Sequence, residues 1–325
     1  MNKKKRGSRR MPLIILTVSL STICAILYGL ADRYLIEHVE VVVETQPTTS
    51  TSSAASTSIP IVTTATGARE STEKVTSDDW NYTSGDIDIS IEKVETGTGK
   101  DKITYFVADV ELKDSSNLLT AFADNAFGRN IIEDTSKIAS ANKAILAING
   151  DYYGFRNDGV IIRNGTLYRN EPARDGLALF NDGTMLSYNE KEISAEELLA
   201  QSVTNTFSFG PVLVKGGEAV DGLENVKIDT NFGNRTIDNA NPRTGIGIIS
   251  PNHYVFVVVD GRQENYSRGM TLGEFAQLFE DLGATEAYNL DGGGSSTMYF
   301  MGRVVNNPGR KGEERGVSDI LYIAE

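Results

Sequence analysis

At 325 residues and a net charge of −13, the chain is long enough for one large domain or two ordinary ones, and too acidic to hold an anionic polymer by its overall field. Nucleic acid is excluded as a partner on that ground, and any anionic substrate needs a local cluster of arginines. One cysteine, Cys24, and two histidines, His38 and His253, exclude a disulfide framework, a Ser-His-Asp triad and a His-rich zinc site.

The first element is an uncharged apolar run over residues 12–30, preceded by Lys3, Lys4, Lys5, Arg6, Arg9 and Arg10. A bilayer-spanning helix needs about 20 residues, so residues 1–35 read as a basic cytoplasmic tail and a membrane anchor. The positive-inside rule then puts the remainder outside, as a single-pass protein of the cell membrane. A cleaved signal peptide is the competing reading, with Gly29-Leu30-Ala31 as its cleavage site, but its apolar core is usually about 7–15 residues. Residues 36–80 are Ser/Thr-rich and poor in large apolar side chains, the composition of a disordered stalk; "VEVVVE" at its base has strand character. Beyond residue 33 there remain 24 basic against 43 acidic residues, a net charge of −19. A disulfide-free exported domain of this kind fits a bacterial surface.

Residues 81–325 form one domain. "DIDISIEKV" and "ITYFVADVEL" alternate apolar and polar around a Gly-Thr-Gly turn, a hairpin. A short helix and a buried strand at 144–148 follow, and the strand stops at Asn149-Gly150-Asp151. "GVIIRNGTLY" is a second hairpin, with Asn164-Gly165 in a type I′ turn. Ser194 and Glu197 form a capping box for a short helix. "YVFVVVD" is a strand buried on both faces and ends in Asp260; His253 at its start reads as a solvated turn histidine. "TLGEFAQLFEDLG" carries a capping box at Thr271 and Glu274, a stop at Gly283, and one apolar stripe of Phe275, Leu278, Phe279 and Leu282. "TEAYNLD" is the next strand. Strand–helix–strand of this length predicts a parallel βαβ unit, which places Asp260 and Asp291 together at the carboxyl ends of parallel strands. The fold class expected is mixed α/β (α+β), a mixed sheet with this parallel unit near its C-terminus and antiparallel hairpins elsewhere.

The sharpest cluster is "NLDGGGSSTM". Gly292, Gly293 and Gly294 would let backbone amides converge on an anion, Ser295, Ser296 and Thr297 add hydroxyls, and Asn289 and Asp291 stand beside them. The plain alternative is a tight turn with glycines where a Cβ would clash. Arg243, held by the preceding proline in "NPRTGIGI", offers a guanidinium for phosphate or carboxylate, with Thr244 beside it. Arg315 in "ERGVSDILYI" is a weaker candidate of the same kind.

Taken in order, "INGDYYGF", "SFGPVLVKGG", "NPRTGIGI", "VVVDGRQENYSRGMTLGEFAQLF", "NLDGGGSSTM" and "ERGVSDILYI" resemble the phosphodiester glycosidase family from Ile87 to the C-terminus. Its mammalian members remove N-acetylglucosamine from a sugar–phosphate diester. The resemblance implies a hydrolase acting on glycosyl bonds, with a phosphate-linked glycan of cell wall or exopolysaccharide as substrate. It carries functional positions onto Asn149, Arg243, Asp260, Asn289, Asp291, Gly292, Gly293, Gly294 and Ser295. Thr244, Ser296 and Arg315 complete the substrate-binding set, with Asp151, a position where family members also carry Gly. The mammalian disulfides and additional modules are lacking here. Because a phosphomonoester leaves readily, the chemistry needs stabilisation of its charge more than protonation; Arg243 and the loop amides are expected to supply it. Asp291 is then the carboxylate that attacks the anomeric carbon or activates water, and Asp260 the second carboxylate that orients it or serves as acid. No cofactor is expected; the acidic surface fits a divalent cation, but no EF-hand-type motif is present. Two other readings stand beside this one. The domain is a tethered wall-glycan binder stacking sugars on Tyr152, Tyr153 and Phe155, or a metal-dependent hydrolase cutting P–O.

Overall fold

The computed structural model describes residues 10–43, 75–228, 237–309 and 312–325. Most of the expected stalk, residues 44–74, lies outside them, as do residues 1–9 of the basic tail.

Two sheets organise the domain. The larger has nine strands in the order Glu218–Ala219, Val212–Lys215, Glu286–Asn289, Arg243–Ser250, His253–Val259, Ile103–Leu112, Ile87–Thr96, Asn81–Thr83 and Thr76–Ser77. The smaller runs Arg303–Val304, Met298–Phe300, Leu146–Asn149, Asp319–Ile323, Leu118–Phe122. Every paired strand is antiparallel to its neighbour. The predicted hairpins are present, and Asn164 and Gly165 have the two positive φ values (48° and 78°) that a type I′ turn requires. Both capping boxes form, Ser194 with Glu197 and Thr271 with Glu274.

The parallel βαβ unit is not there as an adjacent pair. His253–Val259 and Glu286–Asn289 both pair with Arg243–Ser250, antiparallel on each side, so they run in the same direction with a strand between them. The helix Leu272–Asp281 shows why. Phe275 and Phe279 lie directly on Gly245 and Gly247, where a Cβ would come within 2.9 and 2.8 Å of the rings. The crossover therefore rests on the bare strip of the intervening strand and passes over it. Asp260 and Asn289 still end their strands at the same edge of the sheet.

The N-terminal helix spans Arg10–Tyr34 and exposes Ile15, Leu16, Val18, Ile23 and Leu27. Among the described residues no helix is long and apolar enough to cross a membrane. The uncharged run of residues 12–30 lies within this helix, with Arg10 before it and Asp32 and Arg33 after it. Three residues later, His38–Val42 pairs with Ala126–Arg129, and Asn130 donates to the carbonyls of Asp32 and Ile36. The base of the expected stalk is thus a strand of the domain.

Candidate active site

Residues 289–298 cross from one sheet to the other: Asn289 ends a strand of the larger sheet, and Met298 opens one of the smaller. Asn149 clamps the crossing from below. Its Nδ2 donates to the Asp291 carbonyl at 2.7 Å, while its Oδ1 accepts from Thr244 Oγ1 at 2.7 Å and from the Thr297 amide at 3.2 Å. One buried amide thereby joins both sheets to the loop, and leaving its groups unpaired would be costly.

Each of the three glycines has its own cause. A Cβ on Gly292 would come within 2.7 Å of the Pro242 carbonyl oxygen; Gly293 has φ +64° and lies under the Arg262 guanidinium; Gly294 lies under the Arg315 side chain at 3.2 Å. Two of the loop amides are taken by the turn. Gly293 donates to Pro242 and Ser295 to Gly292, so those groups serve the turn itself. Bareness admits arginine instead.

Asp291 is fixed on one side. Its Oδ2 accepts from Ser295 Oγ at 2.6 Å and from Arg315 Nη2 at 3.0 Å, and Arg315 also donates to Ser295 Oγ from Nε at 3.1 Å. Among the described residues Oδ1 accepts no hydrogen bond, and the residue lines a cleft of about 160 Å³.

That cleft gathers Arg243, Arg262 and Arg315 around the carboxylate of Asp291, the only one that lines it among the described residues, with Asn289, Tyr152 and Phe209 on its walls. Arg243 is 2% exposed and donates to the carbonyls of Met270, Ile237 and Asn239. It has no ion pair among the described residues. Burial, and then the charge of Arg262, pull its guanidinium down to about 10, still cationic at neutral pH. A buried cation held, among the described residues, by carbonyls alone favours an anion in the space beside it. Asn289 donates through Nδ2 to the Gly210 carbonyl at 2.8 Å, and its Oδ1 is buried and has no partner among the described residues.

The other expected residues lie behind the cleft. Asp260 is 1% exposed and accepts from Tyr266 Oη, Asn306 Nδ2 and the Asn307 amide; burial raises its carboxyl despite these bonds. It pins two loops and is not part of the cleft wall. Asp151 accepts from the amides of Tyr153 and Ser208 and pairs with Arg163 at 3.2 Å; Arg163 also pairs with Asp319 at 2.7 Å. This buried Asp–Arg–Asp group is structural, and Gly150 above Asp319 leaves no room for a Cβ. Thr244 and Ser296 are fully buried, and Tyr153 is core, stacked on Phe127. Only Tyr152 of the proposed stacking aromatics reaches the cleft, against Phe209. Sequence reasoning missed Arg262, Arg163 and Asp319. Arg163 carried a signal, a charge in an otherwise apolar strand that needs a buried partner. The one described group with metal-like spacing, Asp109, Glu111 and His253, sits at the far end of the strand that leads to Asp260.

The family model described as phosphodiester glycosidase matches residues 142–324, which include the whole cleft. The chain belongs to the phosphodiester glycosidase family. Among curated relatives it is 32% identical over 207 residues to the SPbeta prophage-derived uncharacterized protein YomE of Bacillus subtilis (strain 168), covering 61% of this chain and 30% of that one. It is 29% identical over 133 residues to the Bos taurus N-acetylglucosamine-1-phosphodiester alpha-N-acetylglucosaminidase, covering 39% of this chain and 24% of that one. The chain thus spans less than a third of either relative. Its fold is similar to the zebrafish N-acetylglucosamine-1-phosphodiester alpha-N-acetylglucosaminidase catalytic domain auto-inhibited by its pro-peptide, at TM-score 0.59, 21% identity, and 78% and 88% coverage of the two chains. A hypothetical protein from Synechocystis shares it at TM-score 0.53 and 16% identity, with 78% and 64% coverage. Family membership supports a glycosidase-type hydrolase for phosphodiester-linked sugars. In this family member every paired strand is antiparallel to its neighbour, and the run Asp291-Gly292-Gly293-Gly294-Ser295 is part of the bridge between the two main sheets.

Proposed function

We propose that the domain hydrolyses a sugar-1-phosphate diester between the anomeric carbon and the phosphate oxygen, on a glycan of the cell wall or exopolysaccharide. The observation that carries this is the convergence of Arg243, Arg262 and Arg315 with Asp291 in one cleft of a strongly acidic domain. The guanidiniums hold the phosphate and its growing charge as the bond breaks. Asp291, held through Oδ2, presents its carboxylate to the anomeric carbon. Tyr152 and Phe209 offer apolar faces to a sugar ring such as that of N-acetylglucosamine.

The test is turnover of a sugar-1-phosphate diester in heavy-oxygen water by the wild type and by Asp291→Asn. Heavy oxygen at the anomeric hydroxyl of the released sugar supports the reading. Heavy oxygen in the phosphate product points to P–O cleavage, and binding of wall glycan without turnover points to a tethered binder. The exposed apolar side chains of the helix Arg10–Tyr34 and the basic residues ahead of it support association with a bacterial membrane, the domain outside. Recovery of the full chain in the soluble fraction of lysed cells would count against that placement.

A further inference from the structure

Beside the cleft lies a second hollow of about 410 Å³, and Arg262 lines both. Its guanidinium grips Asn241 Oδ1 through Nε at 3.1 Å and Nη2 at 2.7 Å, and lies over Gly293, so it forms the partition between the two spaces. Across the second hollow stand Lys100, Lys102 and Arg268, against one acidic lining residue, Glu264. Part of this charge is answered nearby: Lys102 pairs with Glu95 at 2.8 Å, and Arg268 is held by Glu274. Lys100 makes no ion pair among the described residues, although the neighbouring Asp101 carboxylate tempers the patch. In a domain of net charge −14 over residues 81–325, four cations around one hollow that opens beside the cleft are a local reversal of sign.

We infer that this hollow is a second anion subsite, which takes the next phosphate of a polymeric phosphodiester glycan while the scissile diester occupies the cleft. The inference rests on the proposed function and specifies its substrate: a chain with a charge on every repeat. A guanidinium shared by both spaces lets one bound phosphate favour the other through a common, already ordered donor. A pyrophosphate-linked sugar also offers a second phosphate, but places it beside the first, within the same cleft.

The experiment compares kcat/KM for three synthetic substrates with the purified full chain: a sugar-1-phosphate diester with one phosphate, the same compound extended by one sugar–phosphate repeat, and a sugar pyrophosphate diester. The extended diester is expected to exceed the single one by roughly tenfold, ~1.4 kcal/mol, and the gain should shrink as salt is raised. The pyrophosphate should show no such gain. In the Lys100→Ala/Lys102→Ala double variant, checked for an unchanged melting temperature, the ratio of extended to single substrate should fall to about one. Glu95 keeps Lys93 at 2.7 Å in that variant, so no carboxylate is stranded. A ratio near one in the wild type, a gain that survives the double variant, or an equal gain from the pyrophosphate overturns the second subsite while cleavage of the single diester leaves the proposed function standing. Cleavage of none of the three removes both.

Discussion

The hydroxyl of Ser295 donates to Oδ2 of Asp291 at 2.6 Å, and Arg315 bonds both residues from above. The carboxylate is thereby oriented before any substrate arrives, by a side chain that is itself 1% exposed. Asp291→Asn should lower kcat by on the order of 10³-fold or more. Ser295→Ala keeps the carboxylate but frees its rotation, and should lower kcat about 10²-fold with KM nearly unchanged. Steady-state kinetics of the two variants check this; an equal loss in KM for Ser295→Ala would mean that the serine binds substrate directly.

Arg262 covers Gly293 and walls the cleft. Arg262→Met should raise KM by about 10- to 100-fold, the loss of one charge-assisted bond of ~1.5–3 kcal/mol. Inhibition by inorganic phosphate should weaken in parallel, and titration with phosphate measures it.

The glycines separate stability from activity. Gly292→Ala drives a Cβ to 2.7 Å from a backbone oxygen and should cost about 1–3 kcal/mol in a chemical melt. At Gly294 the contact is the flexible Arg315 stem at 3.2 Å, so Gly294→Ala should stay within about 0.5 kcal/mol of wild type yet lose activity as the arginine shifts.

Asp260 serves as a direct test of burial against catalysis. Asp260→Asn turns an acceptor of three donor groups into an amide that opposes one of them, and should cost about 1–3 kcal/mol of stability. Corrected for folded fraction, kcat should move by less than about threefold. A collapse of kcat at an unchanged melting temperature would restore Asp260 as the second catalytic carboxylate.

The buried Asp–Arg–Asp group sets a pH dependence. Burial lifts Asp319 to about 7, against the pull of Arg163 and with the help of Asp151. The folded state therefore binds this proton more tightly than the unfolded chain. The resulting stability is complete below about pH 4 and is lost as pH rises towards 7, with a slope of at most ~1.4 kcal/mol per pH unit. Melting temperatures across that window should fall with pH in the wild type, and Asp319→Asn should flatten the trend.

Local order was legible wherever one stretch of chain decides it. The alternation of "DIDISIEKV", the Asn164-Gly165 turn and the two capping boxes all form as read. The parallel pair failed because nothing between Asp260 and Asn289 reports that an earlier strand, Arg243–Ser250, slips between them. The available sign was its Gly-Ile-Gly pattern, a bare strip for Phe275 and Phe279. At the site, Asp291, Ser295 and the glycines stood out because they are contiguous. Arg262 did not, since its role depends on a loop that folds back on Gly293; Asp260 looked catalytic only because its partners Tyr266 and Asn307 are invisible to spacing.

Only three residues part the helix Arg10–Tyr34 from the strand His38–Val42, and that strand is bonded into the domain through Ala126–Arg129. The Ser/Thr-rich stretch departs after this strand and rejoins before Thr76–Ser77, so it does not stand between helix and cleft. If the helix seats on a membrane, as proposed, this short junction and not a stalk sets the height and bearing of the cleft above it.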